Sequence, residues 1–168
     1  MQNELTPEKI LSLLDLRPHP EGGYYSRTYQ ADEQISLQDL PERYSGSRVH
    51  STAIYYLLTS ETCSRLHRIH SDEVFHFYLG DAVEMLHLFP DGTGRCVMLG
   101  TDLLEGTRPQ VVVPRGVWQG ARITDGGTFA LLGCTVAPGF DYDDFELGDR
   151  ASLLADYPQF SEEIHALT

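Results

Sequence analysis

The chain has 168 residues, 41% of them hydrophobic and 22% charged, enough for one domain with a sizeable core and too apolar for a disordered chain. Twelve basic residues against 25 acidic ones give a net charge of −13 and a pI near 4.7, a balance that repels phosphate backbones and anionic bilayers and so speaks against nucleic-acid and membrane partners. No apolar run approaches the ~20 residues of a bilayer span, the N-terminus lacks a signal-peptide pattern, and three scattered cysteines (Cys63, Cys96, Cys134) form neither a disulfide framework nor a metal knuckle, which together predict a cytoplasmic protein.

In chain order, the first element is a short helix over residues 6–15. Thr6 can cap it, Pro7 suits its first position, and Ile10, Leu11, Leu13 and Leu14 supply an apolar side. Short β-branched and aromatic runs follow, predicting strands over Gly23–Gln30, Ser51–Leu58, Ser64–Arg68, Val74–Leu79, Val83–Phe89, Arg95–Leu99, Gln110–Val113, Ala121–Ile123 and Phe129–Val136. The turn signals between them include Pro90-Asp91-Gly92, Pro114-Arg115-Gly116 and Asp125-Gly126-Gly127. Strands at this spacing indicate a sandwich or barrel. The polar stretch Asp32–Arg48 reads as a long loop that could cross to a partner subunit. A helix over Arg150–Tyr157 and a short turn after Ser161 close a helical segment over 149–166. Residues 139–168 hold eight acids against Arg150 alone, net −7 of the −13, which reads as a solvated acidic surface.

The densest polar cluster is His67-Arg68-Ile69-His70-Ser71-Asp72-Glu73-Val74-Phe75-His76. Imidazole and carboxylate are common ligands of first-row metals, and equally a base with its orienting partner. Strand alternation sorts the cluster: His67, Ile69, Glu73, Phe75 and Phe77 share one parity, His70 and His76 the other. His67 and Glu73 are thus expected in one space, with His70 and His76 elsewhere unless a bulge turns one inward. His19, His50, His87 and His165 read as structural or exposed, and the cysteines as small hydrophobes.

Here the sequence resembles the cupin superfamily. Glu73 to Gly80 reproduces the Glu-to-Gly interval of the first cupin motif, with His67 at its first His position and Ile69 at its second. Pro114-Arg115-Gly116-Val117-Trp118-Gln119 matches the second motif with Gln119 at the His position. His19-Pro20-Glu21-Gly22-Gly23-Tyr24-Tyr25, Ser51–Leu58 and Gly133–Phe140 look like an uncharacterised branch often labelled a predicted sugar epimerase. The resemblance runs from about 19 to 146. It implies a mainly-β jelly-roll barrel (a double-stranded β-helix) with short helices at both ends, a homodimer, and a small-molecule pocket in the barrel mouth.

Cupin metal sites use three His and one Glu. By position this chain keeps His67 and Glu73 and has Ile69 and Gln119 in place of two His, so no metal cofactor is expected; a divalent metal, if bound, would need His67, Glu73 and Gln119 with His70 or His76 turned inward. The metal-free use of the pocket, implied by cupin epimerases, is proton transfer beside a ketone, with His67 as base, Glu73 as its orienting carboxylate and Tyr55 or Tyr24 as the acid. Arg27, Arg65 and Arg115 are candidates to hold an anionic group of the ligand, and His76, Trp118 and Gln119 to shape the pocket. Three functions remain open at this point: a metal-independent isomerase or epimerase of a sugar-like or other oxygenated ligand, a metal-dependent dioxygenase, decarboxylase or isomerase, and a non-catalytic ligand-binding or sensor protein.

Overall fold

A computed structural model describes residues 5–168. Thr6 caps α1 (Pro7–Leu13) with its hydroxyl accepting from the Lys9 amide, and Pro7 occupies the first turn. The helix stops two residues earlier than predicted, because Asp15 adopts φ 49°, a left-handed conformation that cannot continue it. Thirteen strands follow: β1 (Arg17–Pro18), β2 (Tyr24–Gln30), β3 (Gln34–Ile35), β4 (Arg48–Val49), β5 (Thr52–Thr59), β6 (Ser64–Arg68), β7 (Asp72–Gly80), β8 (Val83–Leu88), β9 (Gly94–Leu99), β10 (Gln110–Val113), β11 (Trp118–Ile123), β12 (Phe129–Ala137) and β13 (Glu146–Leu147). Helices α2 (Arg150–Asp156) and α3 (Ser161–Ala166) end the chain. No helix among the described residues is long and apolar enough to cross a membrane.

The strands form a six-stranded sheet in the order β1-β2-β5-β12-β7-β10, a five-stranded sheet in the order β13-β6-β11-β8-β9, and the pair β3-β4. Every ladder is antiparallel, as expected of sheets with one face on a core and one toward water. Period-two alternation assigns the faces. Tyr56, Leu58, Phe75, Leu132 and Cys134 of the larger sheet meet Val83, Met85, Leu99, Ala121 and Ile123 of the smaller in the main core. Each large apolar side chain buried there contributes roughly 1.5–3 kcal/mol. The outer faces are partly covered: Ile10 of α1 packs on Leu57 and Leu131, while Leu153, Tyr157, Ile164 and Leu167 pack on Leu66, Leu86 and Leu88.

The nine predicted strands are all present, with ends moved by at most three residues. The stretch Asp32–Arg48 is more structured than predicted and packs on its own chain. It carries β3, and Arg48 begins β4. Tyr44, 3% exposed, shares a hydrogen bond with the Ser71 hydroxyl, and Arg48 grips Asp144 through two bonds of 2.6 and 2.7 Å. The latter ties the loop to the segment 139–145, which crosses the mouth of the barrel.

Candidate active site

A narrow cavity of about 40 Å³ lies between the inner faces of the two sheets and opens to solvent at the barrel mouth. His67, Ile69 and Glu73 reach it from β6, β7 and the turn between them. Ile54 and Thr52 line it from β5, Cys134 and Val136 from β12, and Tyr25 and Arg27 from β2. Phe140 and Tyr142 border it from the crossing segment.

His67 is 2% exposed. Its Nδ1 lies 2.7 Å from the Arg65 carbonyl oxygen, an acceptor, so Nδ1 carries a proton and Nε2 is the nitrogen turned toward the site. Nε2 stands 3.2 Å from Glu21 Oε2. Phe145 stacks on the ring at 5.3 Å and excludes water from that face.

Glu21 is the site residue that the sequence reading missed. It is 7% exposed, takes a 2.9 Å hydrogen bond from the Ser64 hydroxyl, and lies 3.5 Å from Nδ1 of His19. The next two residues explain its placement. Gly22 and Gly23 have φ of 110° and 67°, and a Cβ on Gly22 would sit 2.0 Å from the Cys63 carbonyl oxygen. Only glycine lets this loop approach the strands so closely and fold Glu21 inward. His19, read from sequence as structural or exposed, also lines the cavity. Burial holds its pKa below the ordinary value, and its neutral Nδ1 accepts from the Glu21 amide at 3.2 Å. The Gly-Gly pair directly after an acidic residue was the local signal for this loop.

Glu73 is buried and takes a 2.6 Å hydrogen bond from Nε2 of Gln119. Burial pushes its pKa up to about 7. The charge of Glu21 adds to that rise, while His67 and hydrogen bonds from Gln119 and Cys134 oppose it. The carboxylate in contact with His67 is therefore Glu21, and the expected His67–Glu73 pair is corrected to His67–Glu21 with Glu73 held by Gln119.

The other predicted residues lie elsewhere. Tyr55 points to the outer face of the larger sheet, its ring 6.0 Å from that of Tyr78, and Tyr24 packs beneath α1. Their neighbours Tyr25 and Tyr56 face inward, because alternation gives adjacent residues opposite sides. Tyr56 is engaged, donating to the Gly22 carbonyl at 2.7 Å. His76 is on the outer face beside Thr135 and Gln110. Half-exposed His70 lies 3.3 Å from Asp144. Arg65 donates to the carbonyls of Pro20 and Glu21, and exposed Arg115 pairs with Asp72. Trp118 packs among Leu66, Leu86 and α2 with Arg68 over its ring. Of the three arginines, Arg27 lines the cavity.

The sequence profile of the cupin superfamily (DUF985) matches residues 8–148. The chain belongs to this cupin family. An uncharacterised protein of Saccharomyces cerevisiae, YML079W, is 27% identical over 146 residues, covering 82% of this chain and 72% of the yeast protein. Among solved structures, protein SO0799 of Shewanella oneidensis superposes with a TM-score of 0.88 at 33% identity, covering 98% of both chains. A hypothetical protein of Leishmania major superposes at 0.87 with 32% identity, covering 98% of this chain and 99% of its own.

Cupins carry metals on three His and a Glu, and the residues here do not fit that set. The amide of Gln119 turns its N–H toward Glu73, so two of the four positions are bonded to each other. Ile69 offers no donor atom, and His70 and His76 point out of the cavity. Among the described residues no group of three or more His, Cys, Asp or Glu is arranged to hold an ion.

Proposed function

We propose that this cupin binds a small oxygenated, sugar-like ligand in the barrel mouth and isomerises or epimerises it by metal-independent proton transfer. The observation that carries the reading is the placement of an imidazole and two buried carboxyls around one cavity: His67 in contact with Glu21, and Glu73 with its pKa pushed up to about 7. A base and a proton donor facing one ligand are what general acid–base catalysis requires.

In this mechanism neutral His67 takes a proton through Nε2 from a carbon next to the ligand's carbonyl. The C–H electron pair moves into an enolate, and Glu21 steadies the imidazolium. Glu73, whose buried carboxyl has its pKa raised to about 7, returns a proton to carbon from its acid form and is left as the carboxylate. Proton exchange between the two carboxyl systems and water restores the starting state. The mouth favours a neutral or hydroxyl-rich end inside, because Glu21 and Glu73 line the depth and Arg27 is the cation in the wall. The reading keeps the homodimer implied by the family.

The test is a screen of keto-sugars in heavy water for exchange of a carbon-bound proton. Exchange with wild type and its loss in His67→Gln, with binding retained, supports the mechanism. Binding without exchange in wild type would make the protein a ligand-binding cupin, and near-stoichiometric metal in protein purified without a His tag would favour metal-dependent chemistry.

A further inference from the structure

The inner face of the five-stranded sheet carries a polar row that runs past the cavity. Gln119 stands opposite His67 on one side and His87 on the other, and His87 stands opposite Arg95. Residues opposed in antiparallel strands share a face, with Cβ atoms ~4.5–5.5 Å apart. Gln119 is 1% exposed and His87 0%.

One end of the Gln119 amide is engaged, its Nε2 donating to Glu73. The other end, Oε1, and both ring nitrogens of His87 have no hydrogen-bond partner among the described residues. A neutral imidazole presents one donor and one acceptor, and a buried polar group without a partner costs about 1–3 kcal/mol. Burial, with the charge of Arg95 added, pushes His87 down to about 4, so the ring is neutral at pH 7. Three unpartnered polar atoms on adjacent side chains of one buried face supply the two to four polar partners that a buried water requires.

We propose that one buried water bridges the His87 imidazole and Gln119 Oε1, making His87 the positioning residue that decides which end of the Gln119 amide faces Glu73. The two ends of an amide are nearly equal in shape but opposite in hydrogen bonding. With Oε1 held by the water, N–H points at Glu73 and favours its carboxylate. Without that anchor the amide can turn over, present Oε1 to Glu73 and favour the carboxylic acid. Glu73 is faced also by His67, Glu21 and Cys134, and His87 by Arg95, none of which His87 variants remove. The inference rests on these side-chain contacts and holds whether or not His67 turns over a substrate.

The experiment combines a high-resolution crystal structure of the full chain with infrared titration of the Glu73 carboxyl band, assigned by its loss in Glu73→Gln. The crystal structure is expected to show an ordered water within hydrogen-bond distance of Gln119 Oε1 and one His87 nitrogen. The Glu73 midpoint is expected to rise by about half a unit in His87→Leu, a roughly three-fold change in proton affinity, and to return in His87→Gln, whose amide supplies a donor again. A dry contact between the two side chains would overturn the proposal. So would a His87→Leu variant that melts earlier with the Glu73 midpoint unmoved. Should His87→Leu fail to fold, the ¹⁵N spectrum of wild-type His87 decides: a single hydrogen-bonded tautomer supports the bridge, and fast exchange between tautomers removes it.

Discussion

His67 shows how much a single side chain can be asked to do in this barrel. One nitrogen is anchored on a backbone carbonyl, the other faces a carboxylate, and a phenyl ring covers its face. Replacing it with Ala would take from buried Glu21 the ring it contacts and from Phe145 the ring it stacks on, so stability and chemistry would fall together. His67→Gln separates them: it is expected to lose proton exchange while its denaturant midpoint stays within about 1 kcal/mol of wild type. A large loss of stability in that variant would assign His67 a structural role. Glu73 and His87 make a second prediction, in opposite senses. Glu73 has its folded pKa raised to about 7 from 4.5, so the folded state holds the extra proton between those values and stability falls as pH rises through that window, by roughly 3 kcal/mol. His87 has its folded pKa lowered to about 4 from 6.5, so stability rises with pH from about 4 to 6.5 by a similar amount. The two slopes oppose each other between pH 4.5 and 6.5. Urea unfolding of Glu73→Gln across that range is expected to climb more steeply with pH than wild type; an unchanged slope would show that Glu73 is not perturbed.

At the scale of elements, two irregular segments complete what the strands begin. The turn before β2 delivers Glu21 because two successive glycines take left-handed conformations. Gly22→Ala combines φ 110° with a Cβ driven into the Cys63 carbonyl. It is expected to cost several kcal/mol and to displace Glu21, visible as a lower melting temperature and an altered His67 ¹⁵N shift. The crossing segment 139–145 is held by the buried pair Arg48–Asp144, both below 5% exposed. Asp144→Ala strands the guanidinium inside and is expected to cost about 3–5 kcal/mol. It should also weaken ligand binding, because Tyr142 of the same segment lines the cavity and Phe145 covers the His67 ring. Retained stability in that variant would mean that Arg48 finds water once the pair is broken.

Across the whole molecule, legibility followed the range of the governing interactions. Strand positions came from local alternation and turn chemistry, and the ladders place all nine where those signals fall. The same alternation separates His67 and Glu73, which face the cavity, from His70 and His76, which do not. Applied to β11, it would also have separated Trp118 from Gln119. Tyr24 and Tyr55 could not be ranked against Tyr25 and Tyr142, because facing a common cavity depends on register between strands far apart in sequence. Glu21 is 46 positions from His67 and sits in a turn without periodicity, so no pattern joined them. The arginines failed for another reason: Arg65 and Arg115 have partners close at hand, and a cation already satisfied by its own chain is indistinguishable in sequence from one awaiting a ligand.

The position of Trp118 has an optical consequence. It is the one tryptophan of the chain, and it lies on the far side of the five-stranded sheet from the cavity, against Arg68 and the C-terminal helices. Intrinsic fluorescence is therefore a reporter of how firmly α2 and α3 dock, largely blind to what enters the barrel mouth. Titration with a bound ligand is expected to leave the emission maximum in place. Mild denaturant should shift it to the red as soon as the helices release, ahead of any change in the barrel's far-ultraviolet signal. Coincident transitions would show instead that helices and barrel unfold as one cooperative unit.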